Sequence, residues 1–113
     1  MAIQEWSDSI RVVQLNDDPE FTEDLSSLDE EMESRPTHVV LNFSAVSFIN
    51  SSNVSRLLRL RKRMLAAGKK LVACEVSAQV GSVFQVTGLD KIFEFTNDIA
   101  TALAGLQING SKT

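Results

Sequence analysis

Apolar residues along this chain follow two different periods. Short runs rich in β-branched residues have the length of strands, whereas longer segments repeat an apolar residue every three or four positions, as amphipathic helices do. Four of the short runs predict strands, at residues 10–15, 39–43, 70–75 and 92–95. Residues 4–6 predict a further short strand at the edge of the same sheet.

A helical segment follows each of the four main strands, and the first two helices have recognisable ends. Asp18 is expected to cap the first helix, with Pro19 as its first residue and Pro36 beyond its end. The second helix is predicted over residues 54–67. Gly68 then suits the left-handed position that closes a helix.

The third and fourth helices are predicted to begin after Ser77 and Asn97, which are good capping residues, and Gly88 closes the third. Each of the four helices has one apolar stripe that is expected to face the core. The stripes are Phe21, Leu25, Leu28 and Met32; Val54, Leu57, Leu58, Met64 and Leu65; Val80, Val83, Phe84 and Thr87; and Ile99, Ala102, Leu103 and Leu106.

Single helices between successive strands indicate βαβ crossovers. The fold class is therefore predicted to be α/β, with a small, mostly parallel or mixed sheet of four to five strands and about four helices. Residues 1–106 are expected to form one domain, and residues 107–113 a frayed tail, because they are polar and contain glycine.

Charge is divided unevenly along the 113 residues, whose net charge is −4. Residues 1–35 hold 11 acidic and two basic residues, whereas seven of the 11 basic residues lie between Arg56 and Lys70. That basic segment contains no aromatic residue for base stacking, so nucleic-acid binding is not expected, and a solvated face or a protein-docking surface remains. No apolar run is long enough to insert in a membrane, and no signal peptide is recognised, so a cytoplasmic location is predicted.

The inventory of reactive side chains is small. His38 is the only histidine and Cys74 the only cysteine, so a metal site and an intramolecular disulfide are not expected. Cys74 lies in an apolar run and is expected to be buried and inert. No nucleophile elbow or phosphate-binding glycine loop occurs, so the prediction is a protein without enzymatic activity and without a cofactor.

The residues from Asn50 to Asn53 are the most informative polar segment. They place Ser51 and Ser52 at the start of a predicted helix, where unpaired N–H groups and the helix dipole favour an anion. A serine there is either a capping residue or a site that can carry a phosphate. The turn residues Asp17 and Asp18 are expected nearby, since loops that follow parallel strands meet at one edge of the sheet.

The same region resembles the central motif of STAS domains, the anti-sigma factor antagonist family. Residues 39–58 read VVLNFSAVSFINSSNVSRLL, against a family pattern of apolar strand, Asp-(Leu/Phe)-Ser, Phe-(Ile/Met)-Asp-Ser-Ser-Gly and helix. AAGKKLV at residues 66–72 and VTGLDKIF at residues 86–93 match two further landmarks, and the similarity spans residues 37–106. Both family aspartates are amides here, Asn42 and Asn50, and the glycine is Asn53.

The resemblance implies a partner switch. In such proteins an anti-sigma factor that is also a serine kinase phosphorylates the antagonist, the second serine being the usual acceptor. That serine corresponds to Ser52, with Ser51 as the alternative, and a phosphatase is a further possible partner. The oligomeric state, monomer or weak dimer, is left open. The expected partner-binding residues are Asn50, Ser51, Ser52, Asn53, Ser55, Arg56, Arg59, Asp17 and Asp18.

A second function is compatible with the same resemblance. The domain is then a constitutive interaction subunit that is not phosphorylated, for example of a lipid-transport ATPase or a signalling scaffold. The amides at positions 42, 50 and 53 are the feature that keeps this alternative open.

Overall fold

The computed structural model describes residues 3–110, which form one sheet with helices on both of its faces. The elements are β1 (Ile3–Glu5), β2 (Ile10–Asn16), α1 (Glu20–Ser34), β3 (His38–Ala45), α2 (Ser51–Ala66), β4 (Leu71–Cys74), α3 (Ala78–Thr87), a 3-10 turn (Leu89–Lys91), β5 (Glu94–Thr96) and α4 (Ile99–Gly110). The strand order is β1-β2-β3-β4-β5, with β1 antiparallel to β2 and all other neighbours parallel. The predicted α/β class with a mixed sheet is confirmed.

Alternation along the strands divides the core into two layers. On one face, Val13 and Leu41 belong to a cluster that contains the buried residues of α1, α2 and α3. On the other face, Val12 and Val40 pack with Ala102 and other residues of α4. Strand β3 lies between β2 and β4 and is covered on both sides, as its almost continuous apolar sequence predicts.

Several predicted boundaries are wrong by one to three residues. Helix α1 begins at Glu20, with Pro19 at the capping position, rather than at Pro19 after Asp18. The side chain that caps α4 is Asp98, which accepts a hydrogen bond from the N–H of Thr101 at 2.7 Å, and not Asn97. The last strand starts two residues later than predicted, because Ile92 and Phe93 close the 3-10 turn, where both N–H groups bond to the carbonyl of Leu89.

The apolar stripe of α2 also differs from the prediction. Its buried residues are Asn53, Leu57, Leu60 and Met64, which follow the helical period in steps of four, three and four. Leu58 and Leu65 were assigned to the core by their apolar character, but they point away from it and are exposed. Thr87, at the end of α3, is exposed as well.

Helix α4 extends to Gly110, so the first four residues of the predicted frayed tail are helical. Residues 111–113 lie outside the described part of the chain. Ser77 and Gly88 close the two ends of α3 as predicted: the Ser77 hydroxyl accepts from the N–H of Val80 at 3.2 Å, and Gly88 is left-handed.

The lone cysteine and the lone histidine both have structural surroundings. Cys74 is fully buried, and burial, with smaller contributions from the charges of Glu75 and Asp98, raises the pKa of its thiol to about 11. The thiol is therefore protonated at neutral pH and unreactive. His38 accepts a hydrogen bond at Nδ1 from the backbone N–H of Lys70 at 3.0 Å, which connects the beginnings of β3 and β4.

Gly68 is a position where backbone conformation decides stability. Its φ is +70°, and a Cβ added there meets no other atom, so Gly68→Ala is expected to lower the free energy of unfolding by about 1 kcal/mol through backbone strain alone. Gly105→Ala, inside α4 and equally unobstructed, is the matched control and is expected to raise it by about 0.5 kcal/mol. Urea denaturation measures both, and changes of the same sign would contradict this account.

His38 makes stability depend on pH. Partial burial, followed by the charges of Lys69 and Lys70, lowers the pKa of His38 below its ordinary 6.5. The folded state thus takes up the proton less readily than the unfolded state. This contribution to stability is complete above about pH 6.5 and is lost as the pH falls below that value. His38→Asn keeps an acceptor but does not titrate, so its free energy of unfolding, measured with urea, should change less between about pH 7 and pH 5. An equal pH dependence of the free energy of unfolding in His38→Asn and the wild type would refute this role of His38.

Candidate partner-binding site

The start of α2 brings two hydroxyl groups to one edge of the sheet. Helix α2 begins at Ser51, so Ser51 and Ser52 are its first two residues, and both are exposed. The predicted start at Val54 is therefore wrong, and neither serine is the capping residue. Asn50 caps the helix, and the serines lie beside the positive end of its dipole.

Asn50 and Asn53 cap the helix reciprocally. Oδ1 of Asn50 accepts a hydrogen bond from the N–H of Asn53 at 2.8 Å, while the N–H of Asn50 donates to Oδ1 of Asn53 at 3.1 Å. This is a capping box in which two asparagines replace the usual Ser/Thr and Glu/Gln. The backbone on both sides of the serines is consequently held in place from within the domain.

Asn53 is 2% exposed, so its predicted place on the partner-binding surface is wrong. Its Nδ2 donates to Oδ2 of Asp18 at 3.0 Å and connects α2 to the loop after β2. Asp18 also accepts from the N–H and the hydroxyl of Thr22, at 3.0 and 2.8 Å. The glycine of the family pattern has no side chain with which to make these bonds.

Asp17 holds the neighbouring loop. Its carboxylate accepts from the N–H of Ser47 at 2.9 Å and from the Ser47 hydroxyl at 2.5 Å. These bonds lower the pKa of Asp17, and bonds from Asn53 and Thr22 lower the pKa of Asp18. Both carboxylates are ionised at neutral pH, and the structure brings both into the loops around the start of α2.

Two backbone donors at this helix start are unused. Within residues 3–110, the N–H groups of Ser51 and Ser52 have no acceptor, whereas those of Asn53 and Val54 bond to Asn50. Such donors at a helix N-terminus stabilise an anion. The arrangement can therefore accept a negatively charged group on Ser52.

An exposed surface continues from the serines along α2, and it contains the predicted residues Ser55 and Arg59. Sequence reasoning missed two apolar members: Phe48, 55% exposed in the loop before the helix, and Leu58, 39% exposed. The helical period places Leu58 beside Ser55, and that signal was available in the sequence; nothing in the sequence distinguishes Phe48. We call Phe48, Ser51, Ser52, Ser55, Leu58 and Arg59 the serine face.

Two polar residues near this surface are used within the domain. Arg56, predicted to bind the partner, is half-buried and donates to the Ser26 hydroxyl of α1 at 2.9 Å. Asn42 is buried in β3, where its Nδ2 donates to Gln14 at 2.9 Å and its Oδ1 accepts from the N–H of Ser44 at 2.9 Å. An aspartate at position 42 could not donate to Gln14.

Two other features, a metal site and a membrane-spanning helix, are absent from the described residues. Between Ile3 and Gly110, no three His, Cys, Asp or Glu side chains lie close enough together to hold a metal ion. None of the helices in this part of the chain combines the length and the apolar composition that crossing a membrane requires.

Comparison with known proteins gives a family and a fold. Residues 4–102 match the STAS domain family. A Thermotoga maritima protein described as an anti-sigma factor antagonist has a TM-score of 0.83 at 16% identity, with 93% of this chain and 92% of that chain covered. A STAS domain protein of Planctomyces limnophilus has a TM-score of 0.79 at 22% identity, with 93% and 97% covered.

The Bacillus cell fate determinant SpoIIAA in its phosphorylated form has a TM-score of 0.73 at 18% identity, with 92% of this chain and 96% of that chain covered. These structures share the fold, and the family match extends from β1 into α4 and includes the serine segment. The chain belongs to the STAS domain family.

Proposed function

We propose that this protein is a non-enzymatic, cytoplasmic regulator that binds an anti-sigma factor with serine-kinase activity and is switched by phosphorylation of Ser52. The observation that supports this most directly is the exposed Ser52 at the second position of α2, beside backbone donors without an acceptor in the described chain. Ser51 is the alternative acceptor. A phosphatase that removes the phosphate would complete the cycle.

The fold can tolerate a phosphate on Ser52. The added charge, about −1.5 to −2 at neutral pH, meets the positive end of the α2 dipole. Each such contact contributes about 0.3–1 kcal/mol of stabilisation. The capping box between Asn50 and Asn53 uses other atoms and stays intact. The phosphate therefore changes the surface while the domain keeps its structure.

A phosphate on Ser52 is expected to affect the stability of the partner complex more than the stability of the fold. The serine face combines apolar Phe48 and Leu58 with hydroxyl groups, which is a composition suited to protein docking. A phosphate at its centre adds bulk and charge, and opposed like charges across an interface cost several kcal/mol. Each 1.4 kcal/mol is about tenfold in affinity, so a micromolar complex is switched off.

Solved relatives with this fold support the proposal through their descriptions. SpoIIAA is described as an anti-sigma factor antagonist and has been solved in its phosphorylated form. We infer the same type of partner and the same modification for this chain.

A constitutive interaction subunit is the second candidate function, and one observation favours it. Asn50, next to the serines, is an amide where the family pattern has an aspartate. It reduces negative charge beside the acceptor, and that change alters what a kinase recognises. Binding through the serine face then proceeds without phosphorylation.

Phosphorylation should occur on Ser52. Protein isolated from its native cells, or incubated with its cognate kinase and ATP, is expected to carry one phosphate that mass spectrometry maps to Ser52. Ser52→Ala should remove it, and Ser51→Ala, the neighbouring hydroxyl, should retain it. Transfer of the signal to Ser51 would contradict the assignment of Ser52 while leaving the switch intact.

Binding separates the two candidate functions. Ser52→Asp is expected to weaken binding of the purified kinase partner at least about tenfold in calorimetry, because the carboxylate places charge on the serine face. Gln85→Glu, an exposed position on α3, is the control for charge alone and should bind normally. Equal affinity of Ser52→Asp and wild type, with no phosphate found in cells, would establish the constitutive subunit.

Asn53 should act on the structure of the site and not as a contact. Asn53→Ala removes the acceptor for the N–H of Asn50 and the donor to Asp18, so the free energy of unfolding should fall by about 1–2 kcal/mol. The exposed Ser52→Ala should change it by less than about 0.5 kcal/mol. The pKa of Asp18, followed by carbon NMR, should also rise in Asn53→Ala, because the bond from Asn53 is the main cause of its lowering. An unchanged pKa would refute this connection.

A further inference from the structure

A second surface lies at the end of the sheet opposite to the serine face. A groove of about 250 Å³ separates the second half of α2 from the residues that lead into β5. Strands β4 and β5 begin beside it, whereas the serines follow the far end of β3. Because these strands are parallel, the groove and the serine face are at opposite edges.

The walls of the groove are apolar and open to solvent. Leu65 on α2 is 59% exposed, and Ile92 on the opposite wall is 42% exposed. Beneath them lie the buried side chains of Met64 and Phe93. Two large apolar side chains that face solvent across one groove can bury further surface only against another molecule.

Three cations border these apolar walls. Arg61 is oriented by two contacts: its Nε donates to the carbonyl of Ile92 at 3.2 Å, and its guanidinium lies 6.0 Å from the centre of the Phe93 ring. Lys69 and Lys70 stand at the other end, where Lys70 makes an exposed contact with Glu94 at 3.6 Å. Exposed contacts of this kind contribute little, about 0–1 kcal/mol, so Lys70 is only weakly held.

The end of α2 explains how the lysines reach the groove. The N–H of Gly68 bonds to the carbonyl of Leu65, and the N–H of Lys69 bonds to that of Met64. With Gly68 left-handed, these two bonds form a Schellman motif, which turns the chain back across the helix end. This turn brings the backbone of Lys69 and Lys70 back beside Leu65.

Two other cations of α2, Arg56 and Arg63, have partners within the domain. Arg63 bonds to Asp29 at 2.6 Å and lies 3.5 Å from Glu33, both on α1, and these carboxylates help to raise its pKa. Neither Arg61 nor Lys69 is within salt-bridge distance of a carboxylate in the described chain. The groove therefore keeps a net positive charge in a protein whose total charge is −4.

We propose that this groove, which we call the basic groove, binds an acidic segment of a partner protein whose apolar side chains fill the space between Leu65 and Ile92. Its charge selects acidic partners, and its apolar walls select segments that also present leucine-like side chains. This site is separate from the serine face and does not depend on the proposed phosphorylation.

Spacing narrows the kind of segment. Arg61 lies five residues before the end of α2 at Ala66, a rise of about 7.5 Å at 1.5 Å per residue, and Lys69 follows the turn that closes the helix, with Leu65 between them. Two acidic residues about two turns apart on a helix can face both cations, with apolar residues between them. An amphipathic acidic helix laid along α2 matches this pattern.

Within the described residues, the acidic helix of a second copy does not match this pattern. That helix is α1, but the four apolar residues of α1 are all buried against its own sheet. Docking α1 into the basic groove would supply charge without apolar side chains, so a different protein is the expected occupant.

A synthetic peptide tests the proposal on the full-length protein. The probe is a capped helical peptide of about 15 residues, with two glutamates about seven positions apart and leucines between them. Nitrogen-labelled protein is expected to show amide shifts at Leu65, Lys69 and Ile92, with a Kd on the order of 10–100 µM at low salt. His38, the only histidine, should report the same event: carboxylates near Lys69 and Lys70 should raise its pKa in a proton NMR titration.

Charge variants identify the groove. The side chain of Lys69 makes no hydrogen bond within the described chain, so Lys69→Glu should lower the affinity for the peptide at least about tenfold without disturbing the fold. Lys62→Glu, an exposed cation on the same helix that does not border the groove, should weaken it less than about threefold. Ser52→Asp should bind the peptide like the wild type, whether or not the serine face functions as a switch.

Three outcomes would overturn the proposal. One is the absence of shifts around the groove at about 1 mM peptide, well above the expected Kd. Another is an equal loss of affinity for the peptide in Lys62→Glu and Lys69→Glu, because binding would then depend on the net charge of the protein and not on the groove. The third is Lys69-dependent binding to phosphatidylserine vesicles, or concentration-dependent self-association, without binding of the peptide.

Discussion

The proposed site depends on the hydrogen bonds made by the side-chain amide of Asn53. Its oxygen accepts from Asn50 and its nitrogen donates to Asp18, so one buried group fixes the start of α2 and the loop after β2 together. A helix start leaves backbone donors unpaired, and burial makes an unpaired polar group costly. Here the buried amide of Asn53 accepts from the N–H of Asn50, and the unused donors remain at exposed Ser51 and Ser52. The departures from the family pattern are thus part of the architecture.

The strands and most of the helix stripes could be predicted because their signals are local. Examples are the almost continuous apolar run of β3 and the spacing of apolar residues by three or four positions in α1. The start of α2 could not, because Asn50 to Asn53 are all polar and resemble a loop until the reciprocal bonds are seen. Leu58 and Leu65 are apolar, but their angular positions around the axis of α2 lie outside the buried stripe, so apolar character alone predicts their burial wrongly. The basic groove could not be predicted from the sequence for another reason. Ile92 is far from Leu65 along the chain, and only the fold places the two side chains on opposite walls of one groove.

The uneven charge along the chain has a structural explanation. Acidic α1 packs beside basic α2, and Arg63 with Asp29 and Glu33 joins them. This pairing uses part of the basic segment, which explains why a concentration of arginine and lysine does not by itself indicate a nucleic-acid surface. Of the cations that remain, Arg59 belongs to the serine face, Arg61 and Lys69 belong to the basic groove, and Lys62 is exposed outside both surfaces.

Distance determines whether these two surfaces influence each other. Ser52 and the end of α2 at Ala66, beside the basic groove, are about 21 Å apart along the helix axis at 1.5 Å per residue. The Debye length at physiological salt is about 8 Å, and a phosphate at Ser52 is screened well before its field reaches the groove. The helix between the two surfaces is held along its length by buried Leu57, Leu60 and Met64. A domain of this size can therefore release one partner at the serine face while it keeps an acidic segment in the basic groove.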